Sequence, residues 1–371
     1  MDFGLTLEQR QFDDSLRAFL SDHLPMDRLR ALAEPGIGYD ATLWTSLTEL
    51  GLHGLLVPER FGGAGLGVLD AALAAEALGH AAAPMPFLGS IVMATLAFMH
   101  SATEAQQDEY LPMIAAGECR FAVALPTFAG QTGASSVRFA DGSLSGHITA
   151  VADAGAATHF LIYLPDGHAA VVKAGAPGIA SSLKRSIDRT RPVVDVTLTN
   201  AIAERLDAAN APMATARRVL DAGRVILAAD TLGAAQHMLD AAVAFAKERV
   251  QFGRVIGSFQ GLKYTLAECV TALEPCRGMV WYAAYAQDAL PEEARLTACH
   301  AKAHLGDVGR DIARLTTEVH GGMGFTDLLG LHYWFKRISF NRQILGGPER
   351  CREEAATLQG WNLHAFKPPS V

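Results

Sequence analysis

The sequence contains little that would support disulfide bonds, a metal site or a membrane span. Its five cysteines are odd in number and widely spaced, with no C-x-x-C pair, and its 13 histidines are equally dispersed. This pattern predicts buried reduced thiols and no metal ligands. No apolar stretch is long enough to span a bilayer, and the segment MDFGLTLEQRQF lacks the basic and apolar regions of a signal peptide. We therefore expect a cytoplasmic protein with no membrane partner.

Clusters of basic residues are also missing. Lys and Arg total 31 against 39 Asp and Glu, which gives a formal net charge of -8. This balance argues against a nucleic-acid partner, and any anionic ligand must be bound by a few local cations. The chain has 371 residues, half of them hydrophobic, which is enough to form two or three domains.

Residues 1–118 are predicted to form a helical domain. The stretch LTLEQRQFDDSLRAFLSDHL places apolar residues at helical spacing and ends before Pro25. A second helix, GVLDAALAAEALGHAAA, is rich in alanine and ends near Pro84. The segment LGLHGLLVPERFGGAGLG between them ends in a glycine-rich loop.

Residues 119–209 have the composition of strands. The runs RFAVALP, GSLSGHITAV, THFLIYLPDGHAAVVKAG and VVDVTLTN are rich in β-branched and aromatic residues, with Gly, Asp and Pro between them. They predict a central antiparallel β-sandwich or barrel. Residues 210–371 return to helical periodicity in three long stretches, which favours an up-down four-helix bundle. The predicted fold class is therefore α+β, with a β domain between two helical domains.

Two glycine-containing segments could bind an anion. In KERVQFGRVIGSFQ, Arg249 lies at the end of a long helix and is either a solvated corner residue or a ligand of a phosphate or diphosphate. In TTEVHGGMGFTD, Gly321 and Gly322 either only end a helix or form a nest of backbone N–H groups for an anion. Neither segment contains G-x-G-x-x-G after a strand, so the sequence gives no support to a Rossmann site.

Three segments together resemble the acyl-CoA dehydrogenase family. LGLHGLLVPERFGGAGLG, ERVQFGRVIGSFQGLKYTLAE and EVHGGMGF occur in this order around the predicted β domain, and the resemblance covers nearly the whole chain. It implies FAD at the junction of the β domain and the C-terminal bundle. In this family a neighbouring subunit supplies the Arg of R-x-x-F-G and the Gly-Gly loop to the diphosphate and adenosine end of FAD. The positions in this chain that match FAD-contacting residues are Arg249, Phe252, Phe259, Gln260, Glu318, Gly321 and Gly322.

The reaction implied by the resemblance is the α,β-desaturation of an acyl-CoA thioester. In the family a glutamate takes the α-proton, FAD takes a hydride, and an electron-transfer flavoprotein accepts the electrons. Gly346 in QILGGP stands where most members have this glutamate, and Gly223 stands at the position of the base in a minority. Arg224 matches an Arg near the base and is the implied substrate-binding residue. Glu349 and Asp221 are alternative bases, although each is also explained as an ordinary helix residue.

The half of the site that a subunit keeps for itself departs from the family pattern. ALPTFAGQTG and ITAVADAG replace the flavin-facing loop and the strand after it, without the usual acid, tryptophan and Ser-Asp pair. Glu318 replaces the usual Gln before VHGG. The half lent to a neighbour is intact. The sequence therefore resembles the base-lacking subunit of the α2β2 acyl-CoA dehydrogenases of bacterial sterol side-chain breakdown.

Three hypotheses remain open from the sequence. In the first, the chain is the base-lacking subunit of a heteromeric FAD-dependent acyl-CoA dehydrogenase that acts on a bulky acyl-CoA, such as a steroid side-chain thioester. A second acyl-CoA dehydrogenase subunit then supplies the glutamate. In the second, the chain is a self-sufficient homotetramer with an unusual base. In the third, it is a flavin-free binding or scaffold protein that has kept the fold.

Overall fold

The computed structural model describes residues 4–34, 36–130 and 136–361. Within this part, six α-helices precede the first strand. They are α1 Leu7–His23, α2 Met26–Ala33, α3 Ala41–Glu49, α4 Val68–His80, α5 Ala94–Ser101 and α6 Glu104–Ala115. A 3-10 turn, Glu59–Phe61, lies between α3 and α4, and a π-helical segment, Phe87–Met93, leads into α5. The prediction of a helical N-terminal domain is confirmed.

Capping residues explain where several of these helices begin. At the start of α1 the Thr6 hydroxyl accepts from the Gln9 backbone N–H at 3.2 Å, and the Gln9 side chain accepts from the Thr6 N–H at 3.1 Å. Thr103 and Gln106 repeat this capping box at α6. Each satisfied helix N-terminus stabilises its helix by about 1 kcal/mol.

In the described residues of the central domain, eight strands form two four-stranded sheets. They are β1 Phe121–Ala124, β2 Ser136–Ala140, β3 Ser143–Ala152, β4 His159–Tyr163, β5 Ala169–Lys173, β6 Ile179–Lys184, β7 Val193–Ile202 and β8 Glu204–Leu206. One sheet has the order β1-β4-β5-β8 and the other β2-β3-β7-β6. The pairing is antiparallel as predicted, except that β1 and β4 run parallel. The exception arises because the chain between β1 and β4 passes through the second sheet instead of turning in a hairpin.

The sheet that contains β4 is buried on both faces. Phe160 and Ile162 pack in the core between the two sheets, and Leu161 and Tyr163 point the other way into the core shared with the helices. The alternation of side chains along one strand thus joins two cores. This arrangement explains why the run FLIYL, residues 160–164, lacks the polar alternation of a strand with one exposed face.

The C-terminal domain is built on three long helices. They are α7 Pro212–Glu248, α8 Gln260–Ala289 and α9 Pro291–Val319, and α10 His332–Gln343 packs against α7 and α9 to complete the predicted bundle. A small hairpin, β9 Val250–Gln251 and β10 Arg254–Val255, connects α7 to α8. A 3-10 turn, Gly321–Phe325, follows α9, and α11 Pro348–Leu358 packs on α9.

A buried polar network joins the three parts of the chain. Arg337 on α10 makes a bidentate ion pair with Asp230 on α7, at 2.8 and 2.6 Å, and donates to the Ala83 carbonyl at 3.0 Å. Asn341 bridges Asp230 to Arg191, which pairs with Asp153 of the β domain. Burial alone would raise the pKa of Asp230, but the charge of Arg337 and its hydrogen bonds lower it. The network therefore fixes the β domain against both helical domains.

No helix of the described residues could cross a membrane. The described part of the chain also contains no group of three or more His, Cys, Asp or Glu side chains arranged to hold a metal ion. All five cysteines are buried, as their spacing predicts.

Gly79 on α4 and Gly233 on α7 set the distance between these two helices, and substitution of Gly233 tests the packing. A Cβ atom on Gly233 would lie 1.9 Å from the Glu76 carbonyl oxygen, so the helix backbones leave no room for a side chain. We expect Gly233→Ala to lower the free energy of unfolding by at least about 3 kcal/mol, because the backbone cannot yield as a side chain can. Gly278→Ala on α8 is the matched control.

A Cβ on Gly278 would meet no atom within 4 Å, so this substitution should stabilise the protein by up to about 1 kcal/mol. Denaturant unfolding of both variants provides the measurement. Equal stability of the two variants would contradict the close contact between α4 and α7.

Candidate functional site

A groove lies where α7 ends, beside the turn after α9. We call it the hairpin groove because Gln251 of β9 and Ile256, which follows β10, are among its lining residues. Its volume is about 540 Å³. Its lining includes Phe245, Arg249, Gln251, His320, Gly321 and Gly322.

Arg249 is positioned by the end of its helix. Its N–H donates to the Phe245 carbonyl at 2.9 Å, and its own carbonyl accepts from the Ile256 N–H at 2.8 Å. Its side chain is exposed, and no ion pair or side-chain hydrogen bond engages its guanidinium within the described ranges. The structure thus leaves a cation free in a groove, which suits a phosphate or carboxylate ligand.

The two glycines opposite Arg249 lie in open space. Gly321 has φ 59°, a left-handed conformation that favours glycine, whereas Gly322 does not need a positive φ. A Cβ atom on either residue would meet no atom of the chain within 4 Å. Internal packing therefore gives no reason for glycine at position 322. Close approach of a ligand or another chain to the backbone would explain a glycine there.

The hairpin carries an exposed aromatic residue in an unfavourable backbone conformation. Phe252 has φ 54° and is 92% exposed, next to Gly253 with φ 78°. Its ring contacts Phe259 edge to face at 6.1 Å, and Arg254 covers the Phe259 ring at 4.0 Å. A bulky residue at positive φ with its ring in solvent is rare and points to function.

The remaining residues predicted at this site lie at its edge or away from it. Gln260 is exposed at the first position of α8, beside the hairpin. Glu318 is exposed on α9 and pairs with Arg314 at 2.8 Å instead of lining the groove. The structure therefore brings Arg249, Gly321 and Gly322 together and leaves Glu318 outside.

A second, much smaller space lies where the three domains meet. We call it the central cleft; Leu88, Met93, Val123, Ile148, Ile344 and Leu345 are among its lining residues. Its volume is about 30 Å³. This is close to the volume of one water molecule. The cleft occupies the junction at which the sequence resemblance places the flavin ring and the acyl group.

Neither Gly223 nor Gly346 lines this cleft, but Gly223 lies against the lining residues Met93 and Leu345, and Gly346 follows Leu345 in the chain. A Cβ atom on Gly223 would be 2.7 Å from Leu345 Cδ1 and 3.1 Å from Met93 Sδ. Gly346 has φ 97°, and a Cβ there would be 3.1 Å from Arg224 Nη2. A side chain at either position would have to displace its neighbours.

Arg224 is fully buried and engaged within the chain. Its Nε donates to the Leu345 carbonyl at 3.0 Å, and its two terminal nitrogens pair with Glu354 at 2.8 and 3.0 Å. Its Nη1 also contacts Cys299 Sγ at 3.3 Å and Asp221 at 3.4 Å. Arg224, the predicted substrate-binding residue, therefore directs its N–H groups to partners within the chain.

Glu354 is the centre of this ion-pair cluster. Besides Arg224, it accepts from Arg295 at 3.2 Å and from Arg350 at 2.9 Å. Burial alone would raise the pKa of Glu354, but hydrogen bonds and charge from Arg224 and Arg295 lower it to about 2. Arg350 also donates to the Phe128 carbonyl at 3.1 Å and so links α11 to the loop after β1.

The alternative bases do not line the central cleft. Glu349 is 71% exposed and pairs with Arg342 at 2.8 Å. A backbone hydrogen bond, together with Arg342, lowers the pKa of its carboxyl group. Asp221 is buried, and this burial raises its pKa to about 7. That pKa would suit a base, but Asp221 is enclosed beside Arg224.

Part of the predicted flavin-facing loop, residues 131–133 of ALPTFAGQTG, lies outside the described residues. The sequence alone did not identify Leu345, Met93 and Glu354. The i, i+4 spacing of Arg350 and Glu354 is typical of a helical ion pair, but it does not reveal that Arg224 joins them.

The chain belongs to the acyl-CoA dehydrogenase family. Residues 6–118 match the family profile "Acyl-CoA dehydrogenase, N-terminal domain", and residues 213–356 match "Acyl-CoA dehydrogenase, C-terminal domain". Members of this family are FAD-dependent oxidoreductases that act on acyl-CoA thioesters. The hairpin groove, with a free cation and an open glycine pair, fits the diphosphate end of FAD. The central cleft is too small for the flavin ring.

Several relatives match nearly the whole chain. Acyl-CoA dehydrogenase IpdE2 of Mycolicibacterium smegmatis is 26% identical over 95% of this chain and 98% of its own. The Mycobacterium tuberculosis protein of the same name is 28% identical over 92% and 94%. A solved structure of a variant of the Tcur3481-Tcur3483 steroid ACAD is 30% identical, with a TM-score of 0.85 and coverage of 95% and 98%. Butyryl-CoA dehydrogenase from Megasphaera elsdenii, 22% identical with a TM-score of 0.87, shares the fold.

The ion pair at Glu354 predicts a pH-dependent stability. The pKa of Glu354 falls from its ordinary value near 4.5 to about 2 on folding. The stabilisation is therefore complete above about pH 4.5 and is lost as the pH falls toward 2. It amounts to on the order of 3 kcal/mol.

We expect Glu354→Gln to lower the free energy of unfolding by about 3 kcal/mol at pH 7, because Arg224 loses its main counter-charge. The difference from the wild type should shrink as the pH falls below about 4. Glu353→Gln, on the exposed side of α11, is the control and should have little effect. Urea unfolding at pH 7 and pH 3.5 measures both variants. A constant difference across this range would contradict the assigned role of Glu354.

Proposed function

We propose that this chain is the base-lacking subunit of a heteromeric, FAD-dependent acyl-CoA dehydrogenase. It lends the hairpin groove to the FAD of a partner subunit, and the partner supplies the catalytic glutamate. The complex desaturates a bulky acyl-CoA, such as a steroid side-chain thioester, and passes electrons to an electron-transfer flavoprotein. A cytoplasmic location is part of this proposal.

One contrast carries the proposal. The groove that would contact a neighbour's FAD has a volume of about 540 Å³, whereas the cleft that would hold this chain's own flavin and acyl group has about 30 Å³. Both positions of the family's base are glycines beside the small cleft. An enzyme with its own complete site would need a central cleft large enough for the flavin ring and the acyl group.

The residues at each site support the same division. Arg249 and Phe252 are exposed, with the guanidinium of Arg249 free and the ring of Phe252 in solvent. Arg224 is buried under Glu354. A partner chain can reach the first pair, but no substrate can reach Arg224 without breaking a buried ion pair.

The relatives favour a steroid-type acyl-CoA and a second subunit. The structure at 30% identity is described as a steroid ACAD and bears two protein names, Tcur3481 and Tcur3483. We extend the substrate class and the two-component assembly from that protein to this one. A homotetramer with an unusual base has less support, since Glu349 is exposed and ion-paired and Asp221 does not line the cleft.

Purification of the tagged chain from its own cells tests the proposal. We expect an acyl-CoA dehydrogenase to copurify in equal amount, with about one FAD for each pair of unlike chains. The chain produced alone should carry no flavin. One FAD per chain in a homo-oligomer bleached by an acyl-CoA would overturn the proposal. A complex without flavin would favour the scaffold hypothesis instead.

Substitution of Arg249 tests whether the hairpin groove contributes to FAD binding by the complex. Arg249→Glu should weaken FAD binding by the complex at least tenfold, because a charge-assisted hydrogen bond to a phosphate is replaced by repulsion. Arg217→Glu is the control, since Arg217 is exposed on α7, roughly 48 Å along the helix from Arg249 at 1.5 Å per residue. The mass of the complex shows whether the subunits still assemble. Full flavin content in the Arg249→Glu complex would rule out this role of the groove.

A further inference from the structure

Leu345 has a backbone conformation that leucine rarely adopts. Its φ is 59°, in the left-handed region, although its side chain is only 8% exposed. In this region an L side chain crowds its own backbone, so glycine is the usual occupant. Such a conformation persists where the surrounding structure determines it, and it is often associated with function.

The side chain of Leu345 occupies space at the base positions. It lines the central cleft with Met93 and Ile344. A Cβ atom on Gly223 would lie 2.7 Å from the Cδ1 atom of Leu345. A side chain at position 223 would therefore have to displace the end of the Leu345 side chain, and the cavity that Leu345 lines is only about 30 Å³.

Polar contacts hold the backbone of Leu345 from both sides. Its carbonyl accepts from Arg224 Nε at 3.0 Å, and Arg224 is held in turn by the bidentate pair with Glu354. On the preceding side, buried Lys302 donates to the carbonyls of Asn341 and Arg342 at 2.7 and 3.0 Å and fixes the end of α10. These contacts fix the chain path before and after Leu345.

We propose that Leu345 is a plug that excludes acyl groups and other apolar ligands from this chain's own central cleft. The Arg224–Glu354 pair is the latch that holds the plug in its left-handed conformation. The functional role of the plug rests on the proposed function, since a base-lacking subunit that contributes FAD contacts to a partner does not need an open cleft of its own. Its existence can be tested without flavin, acyl-CoA or a partner.

Leu345→Ala tests the plug directly. The substitution removes the side chain beyond Cβ and enlarges a cavity lined mainly by apolar side chains, and engineered cavities with apolar linings bind xenon. We expect crystals of the variant under xenon pressure to show a xenon atom beside Met93. The wild type should show none there. Leu305→Ala, at a buried position on α9 outside the cleft, is the control and should leave the cleft without xenon.

Thermal unfolding gives a second, independent readout. Within a core, Leu→Gly is ordinarily more destabilising than Leu→Ala, because glycine has more freedom in the unfolded chain. At position 345 the order should be reversed, with the glycine variant melting a few degrees above the alanine variant, because glycine relieves the positive φ.

The two readouts decide the proposal. Xenon in the wild-type cleft, or none in a folded Leu345→Ala variant, would overturn it. Alanine more stable than glycine at 345 would show that the left-handed conformation is not imposed by the latch. A flavin found in the isolated wild-type chain would count against the proposed function as a base-lacking subunit. A xenon site that depends on Leu345 would still support the plug.

Discussion

The buried guanidinium of Arg224 is the constraint on which the rest of this site depends. A buried arginine must satisfy its charge and its N–H groups within the protein. Arg224 does so through Glu354 and the Leu345 carbonyl. These contacts determine the path of the segment after α10, place Leu345 against Gly223, and leave Gly346 in a left-handed conformation beside the guanidinium. Gly346, the position at which the sequence resemblance places the family's base, thus becomes part of the internal packing.

The two regions that we propose to correspond to the halves of a flavin site differ in their packing. In the central cleft, charges are paired with one another and apolar side chains fill the space. In the hairpin groove, Arg249 is free, Gly322 has no packing reason to be glycine, and Phe252 holds its ring in solvent. The positive φ of Phe252 and the exposure of its ring to solvent cost stability in an isolated chain. They are understandable where a partner completes the site.

The sequence predicted the elements whose signals are local. Proline and capping residues mark the helices, and continuous apolar runs mark the strands buried in the centre of the β domain. Strands β2, β6 and β8 of the central domain escaped prediction because all three are edge strands, and the side chains of β2 and β6 are also largely exposed. The parallel pairing of β1 with β4 depends on the chain path, which periodicity does not encode. Arg249 and Gly321 were expected together through the resemblance to a family. Leu345 and Glu354 were not, because their roles arise from contacts between α7, α11 and the segment between α10 and α11.

The location of the flavin in the natural complex tests the account most directly. A structure of the complex purified from its own cells, with FAD retained, should show flavin density against Arg249 and the Gly321–Gly322 turn. The flavin ring should lie in the partner subunit, and the cleft beside Leu345 should be filled by protein alone. A flavin ring stacked in this chain's own central cleft would contradict the account.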